Sequence, residues 1–93
     1  MNPTKSNARI GLRALDQTDY FKRRVLRERP YIQLAWCEQA VSAPEAIEVQ
    51  PDGRIRHWLY VDALGKHLRV VTLADGKTLH NAFPDRTYQR ERP

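Results

Sequence analysis

Three short turn signals cut the second half of this chain, and they constrain the fold more than any other feature. Pro51-Asp52-Gly53, Leu64-Gly65-Lys66 and Asp75-Gly76 separate runs in which apolar and polar residues alternate. Connections this short join antiparallel neighbours, because a parallel pair needs a crossover of about a dozen residues. The runs predict four strands: Ala46 to Gln50, Arg54 to Asp62, His67 to Leu73 and Thr78 to Phe83, with Pro84 as the stop. Val70 and Val71 stand adjacent in the third, as in a central strand covered on both faces.

The first half has a different period. Asp16 to Arg29 reads as a helix, with Asp16 as cap, Asp19 in the first turn and Phe21, Val25 and Leu26 as an apolar stripe. Pro30 separates it from a second helix, Tyr31 to Val41, in which Ile32, Trp36 and Ala40 are expected to face the core. Helices and sheet each need a partner for their apolar face. The expected fold is therefore α+β: two N-terminal helices packed on a four-stranded antiparallel meander sheet, in two layers.

At 93 residues the chain holds one domain and no doubly wound nucleotide fold or barrel. Residues 1–14 read as a flexible N-terminal arm, 15–88 as the domain and 89–93 as a polar tail. No apolar run is long enough to cross a bilayer, and Met1 to Asn7 lacks the apolar stretch of a signal peptide, so no membrane association and a cytoplasmic location are expected. The single cysteine, Cys37, excludes an intrachain disulfide and a Cys-based zinc finger. No spacing proposes a metal or a cofactor.

Sixteen Lys and Arg against 11 Asp and Glu give a net charge of +5, which points to a polyanion, an acidic protein partner or solubility alone. One face of the second strand places Arg54, Arg56, Trp58 and Tyr60 in a row. Guanidinium groups pair with phosphates and rings stack on bases, so this row fits a nucleic acid; the alternative is an ordinary solvent-facing strand. With Leu79 and Phe83 facing the helices, His80 falls on the opposite face, where neighbouring arginines would favour its neutral form and suit it to act as a general base. His57 falls on the core face and reads as a hydrogen-bonded core residue.

Arg69, set in Leu68-Arg69-Val70-Val71, is the arginine best placed for anion binding. Its alternative is a structural pair with Asp62, Asp85 or a helix glutamate. Past the last strand, Asp85 could fix Arg86 or cap the tail, and Arg86 could complete a phosphate clamp with Arg69; the alternative is a turn salt bridge. Cys37 reads as a structural thiol.

The segments Arg29-Pro30-Tyr31-Ile32, Gln50-Pro51-Asp52-Gly53-Arg54-Ile55, Leu68-Arg69-Val70-Val71 and His80-Asn81-Ala82-Phe83-Pro84-Asp85-Arg86 resemble a group of small bacterial proteins of the RelE/ParE and BrnT toxin type, over roughly Tyr20 to Tyr88. The resemblance implies a RelE-like fold and metal-independent cleavage of RNA. His80, or else Asp85, would deprotonate the ribose 2′-hydroxyl. Arg69 and Arg86 would stabilise the developing charge. Tyr88 would orient the phosphate or serve in proton transfer, and Arg54, Arg56 and Trp58 would hold the strand. It also implies an acidic antitoxin partner. The alternative is a non-catalytic nucleic-acid-binding or regulatory protein using the same basic sheet face.

Overall fold

The computed structural model describes residues 15–88. Two helices lie on one face of a four-stranded antiparallel sheet with the order β1-β2-β3-β4. The first helix, α1, is π-helical over Phe21–Val25 and ends in an α-helical turn, Leu26–Glu28. The second, α2, spans Leu34–Ser42. The strands are β1 (Ala46–Val49), β2 (Ile55–Val61), β3 (Lys66–Thr72) and β4 (Leu79–Asp85). The expected arm and tail lie outside the described residues.

Proline sets the break between the helices. The residue before a proline is pushed out of the α region, and Arg29 takes φ −127°, ψ 64°. Gln33 is still extended at φ −88°, ψ 138°, so α2 begins later than the expected Tyr31. Asp16 does not cap α1. Thr18 does: its Oγ1 accepts the Phe21 N–H at 3.1 Å.

The core forms where the helices meet the sheet. Phe21, Val25, Cys37 and Ala40 pack with Leu68, Val70, Leu79 and Ala82, all fully buried. Ile32 joins from the inter-helix turn. Trp36 is only partly buried at the margin, and Cys37 takes the inward position expected for it. His57 sits on this face too, buried. Its Nδ1 lies 3.1 Å from the Val70 carbonyl, which can only accept, so Nδ1 carries the proton.

Pro84 does not stop β4, which runs on to Asp85. β4 is an edge strand, and Pro84 pairs with Leu68 without needing an N–H on that side. Near its start β4 carries a bulge. Val71 pairs with Asn81 but Thr72 with Leu79, leaving His80 as the extra residue. Leu79 therefore stays in the core while Asn81, Phe83 and Asp85 turn to the open face of the sheet. Phe83, expected against the helices, lies instead beside Arg69.

Candidate nucleic-acid interface

The register builds the open face. Trp58 pairs with Arg69, and Arg69 with Phe83, so one line of side chains crosses β2, β3 and β4. Arg56 and Glu48 lie beside it on β2 and β1, and His67 pairs with Asp85.

Asp85 organises this line. It is 7% exposed, and both of its oxygens are saturated with hydrogen bonds. Oδ2 accepts from Trp58 Nε1 at 2.9 Å and from Arg69 Nε at 3.1 Å, with Arg69 Nη2 ion-paired to it at 3.0 Å. Oδ1 accepts from the Thr87 amide, the Thr87 hydroxyl and the Tyr88 amide at 3.0, 2.8 and 3.1 Å. Burial opposes its ionisation, but the hydrogen bonds from Trp58 and Thr87, with the Arg69 charge, outweigh burial and hold the carboxyl down at about 2. With both oxygens occupied, the Asp85 carboxylate has no acceptor position free for a ribose hydroxyl, and it fixes Trp58, Arg69 and the Thr87-Tyr88 turn in place.

Arg69 thus has the structural pair that was one of its alternatives. The carboxylate holds Nε and Nη2, while Nη1 makes no hydrogen bond among the described residues. The guanidinium lies over the Phe83 ring at 4.7 Å and the Trp58 ring at 5.8 Å.

Trp58 lies on the expected face but is only 7% exposed. Tyr88 folds back and stacks on it, with centroids 4.8 Å apart and planes at 20°. The expected base platform is already occupied by a ring of the chain itself. Tyr60 is exposed, but it belongs to a separate aromatic group, edge-on to His67 at 5.3 Å. His67 in turn contacts Tyr88 at 4.7 Å and places Nε2 3.0 Å from Glu45 Oε1. The expected row is therefore divided: arginines at one end, Tyr60 at the other, and a covered tryptophan between.

At the arginine end, a cavity of about 440 Å³ is lined by Arg54, Arg56, Arg69, His80, Tyr20 and Phe83, with Gln50 and Asn81 at its sides. No carboxylate lines it. The carboxylates hold the arginines from outside: Glu48 Oε1 accepts from Arg56 Nη1 at 2.9 Å, and Asp52 Oδ2 lies 3.8 Å from Arg54 Nη1. Gln50 Oε1 accepts from Arg56 Nε at 3.2 Å. Each arginine is oriented by a polar partner and retains donors for a ligand, the pattern that suits phosphate.

His80 enters this cavity from the bulge. Its Nδ1 is 3.1 Å from Thr18 Oγ1, the hydroxyl that caps α1, and its ring lies 5.2 Å from Tyr20. Burial, then the Arg54 charge, lowers its affinity for a proton, against a weaker opposing pull from Asp52. His80 reaches the arginine face, as expected, but through a bulge rather than through strict alternation.

Arg86 does not join the expected clamp. The bonds that draw Thr87 and Tyr88 back onto Asp85 turn the chain at Arg86 and leave it exposed in a different cleft, with Arg29 and Lys66. The contributions of Gln50, Asn81, Tyr20 and Thr18 were not singled out from the sequence. The bulge that brings Asn81 and His80 together has no glycine to announce it.

Residues 15–88 carry 11 Lys and Arg against 10 Asp and Glu, so the described part is nearly balanced. The rest of the basic excess belongs to residues 1–14 and 89–93.

Cys37 is buried in the core, and its thiol is pushed up to about 12 by burial and then by the Glu38 charge, as a structural thiol requires. No cluster of three or more His, Cys, Asp or Glu among the described residues could hold a metal ion. No described helix is long and apolar enough to cross a membrane. The chain matches no protein-family model, no curated protein and no solved structure.

Proposed function

We propose that this protein binds single-stranded nucleic acid, RNA first among them, on the open face of its sheet. The observation that carries this reading is the cavity lined by three guanidinium groups and three rings with no carboxylate among them. Arg54, Arg56 and Arg69 take phosphates, and the exposed ring of Tyr20 offers a surface for a base. The likeness to RNA-cleaving toxins supports RNA as the polymer. Since residues 15–88 are nearly neutral, the basic residues of 1–14 and 89–93 supply most of the long-range attraction.

The test is fluorescence anisotropy with a labelled single-stranded RNA over a salt series. Binding should weaken steeply with salt, and the double variant Arg54→Ser/Arg56→Ser should bind about tenfold less tightly. Unchanged affinity in that variant refutes the assignment of the face.

A second reading, metal-independent cleavage, is favoured by one observation: His80 lines this same cavity, where burial and then the Arg54 charge lower its affinity for a proton. His80 would take the 2′-hydroxyl proton and Arg69 would stabilise the developing phosphorane charge. Incubation of mixed RNA with chelator, beside His80→Ala, decides it. RNA that stays intact while bound to the wild-type protein leaves a binding protein alone.

A further inference from the structure

The cations of the sheet face all have carboxylate partners; those at the outer end of β4 do not. Arg29 follows α1, Lys66 opens β3, and Arg86 follows β4. His67 pairs with Asp85, so Lys66 and Arg86 stand one step beyond the last pair of the ladder. These three cations line one cleft of about 450 Å³, together with Tyr31, Phe83 and Pro84. No acidic residue lines the cleft, and none of the three makes a salt bridge among the described residues. Arg29 Nη1 is buried without a hydrogen-bond partner among the described residues, and its guanidinium lies 6.0 Å from the Phe83 ring. Holding three like charges together without a counter-charge is unfavourable, and an incoming anion relieves it.

The remaining walls have the other half of a nucleotide's chemistry. Tyr31 is 53% exposed, and Phe83 and Pro84 are apolar. The volume is of the size that holds a nucleotide-sized ligand. Phe83 also connects the two sites: Arg69 approaches its ring from the sheet-face cavity and Arg29 from the cleft.

We propose that this cleft is a second nucleotide subsite. Arg29, Lys66 and Arg86 hold a phosphate, Tyr31 stacks on its base, and the strand bound on the open face reaches it by crossing the β4 edge at Phe83. The proposal rests on the nucleic-acid reading above and adds a path and a second anchor to it.

Two measurements separate failure of the subsite from failure of that reading. The first is anisotropy with a single-stranded RNA of about twelve nucleotides, long enough to occupy both sites. Lys66→Ser/Arg86→Ser should bind about tenfold less tightly than wild type, and its salt slope should be shallower by ~0.7 for each phosphate no longer neutralised. The second is titration of the isotope-labelled protein with adenosine monophosphate, followed by NMR at the Arg29 side chain and the Lys66 and Arg86 amides. These signals should move in wild type and stay still in the double variant. Arg86→Ser alone, at an exposed position, should show the same effects in part and guards against misfolding. RNA binding that the double substitution leaves unchanged in affinity and slope overturns the subsite. If wild type binds no RNA, the open-face reading fails, and the nucleotide titration alone decides the cleft: shifts confined to it sustain a phosphate site, and silence overturns it.

Discussion

Replacing Asp85 by Asn tests whether one carboxylate holds the open face together. The variant is isosteric, so packing is conserved and only the acceptor count changes. With its amide oxygen toward Thr87 and Tyr88, the substituted side chain would turn an NH₂ toward Trp58 Nε1–H and the Arg69 N–H groups, donor against donor. The Trp58 N–H is buried, and the Arg69 side chain is only 20% exposed. An unsatisfied buried donor costs ~1–3 kcal/mol, and breaking a buried ion pair ~3–5 kcal/mol. The carboxyl itself gives a second figure, since it is held at about 2 against an ordinary 3.8. That difference corresponds to ~2 kcal/mol of stability. The two figures meet at ~2–3 kcal/mol, a large part of the ~5–10 kcal/mol available to a domain of this size. Because the folded-state value is depressed, the contribution is complete above 3.8 and disappears as pH falls through about 2. Urea denaturation of both proteins across this range is the assay. The gap between wild type and Asp85→Asn should be full at neutral pH and should close in acid. A loss below ~1 kcal/mol, or a gap that is the same at every pH, refutes the reasoning.

Other expectations follow from single features. His57 and His80 both bind a proton less readily in the folded protein, His57 because of burial, so stability should be complete above 6.5 and fall as pH drops below it. Denaturation on either side of 6.5 measures this, and the slope should shrink in His57→Asn, whose amide can still donate to the Val70 carbonyl. Cys37 should resist thiol reagents in the native protein and react on unfolding, which a colorimetric thiol assay reads directly. Gly65 has φ +65° and no neighbouring atom within 4 Å of where a Cβ would lie. Gly65→Ala should therefore cost ~1–2 kcal/mol through backbone strain alone, and Gly65→Asn less, as thermal denaturation can show.

The order of elements was legible because three turns and two prolines leave few alternatives. Arg69 was legible for a related reason: a guanidinium inside an apolar strand must have a partner, and Asp85 was among those considered. What escaped depended on contacts between distant residues. Tyr88 covers Trp58 from thirty positions further along the chain, and nothing in the alternation of β2 announces it. The bulge at His80 shifts Phe83 to the opposite face, although Leu79-His80-Asn81-Ala82-Phe83 reads as a regular strand. Pro84 was read as a stop because edge and interior strands look alike until the sheet order is known.

The two edges of the sheet are not equivalent. β4 is covered at one end by residues 16–18, through hydrogen bonds between Leu79 and Asp16 and Thr18, and blunted at the other by Pro84. β1 pairs with no strand but β2 among the described residues, and it exposes Ile47 at 57% and Val49 at 64%. Among the described residues, strand-to-strand association between copies therefore has a single usable edge. Two copies meeting β1 to β1 would use up both of these free edges, so pairing through the described strands closes at two copies rather than extending into a ribbon.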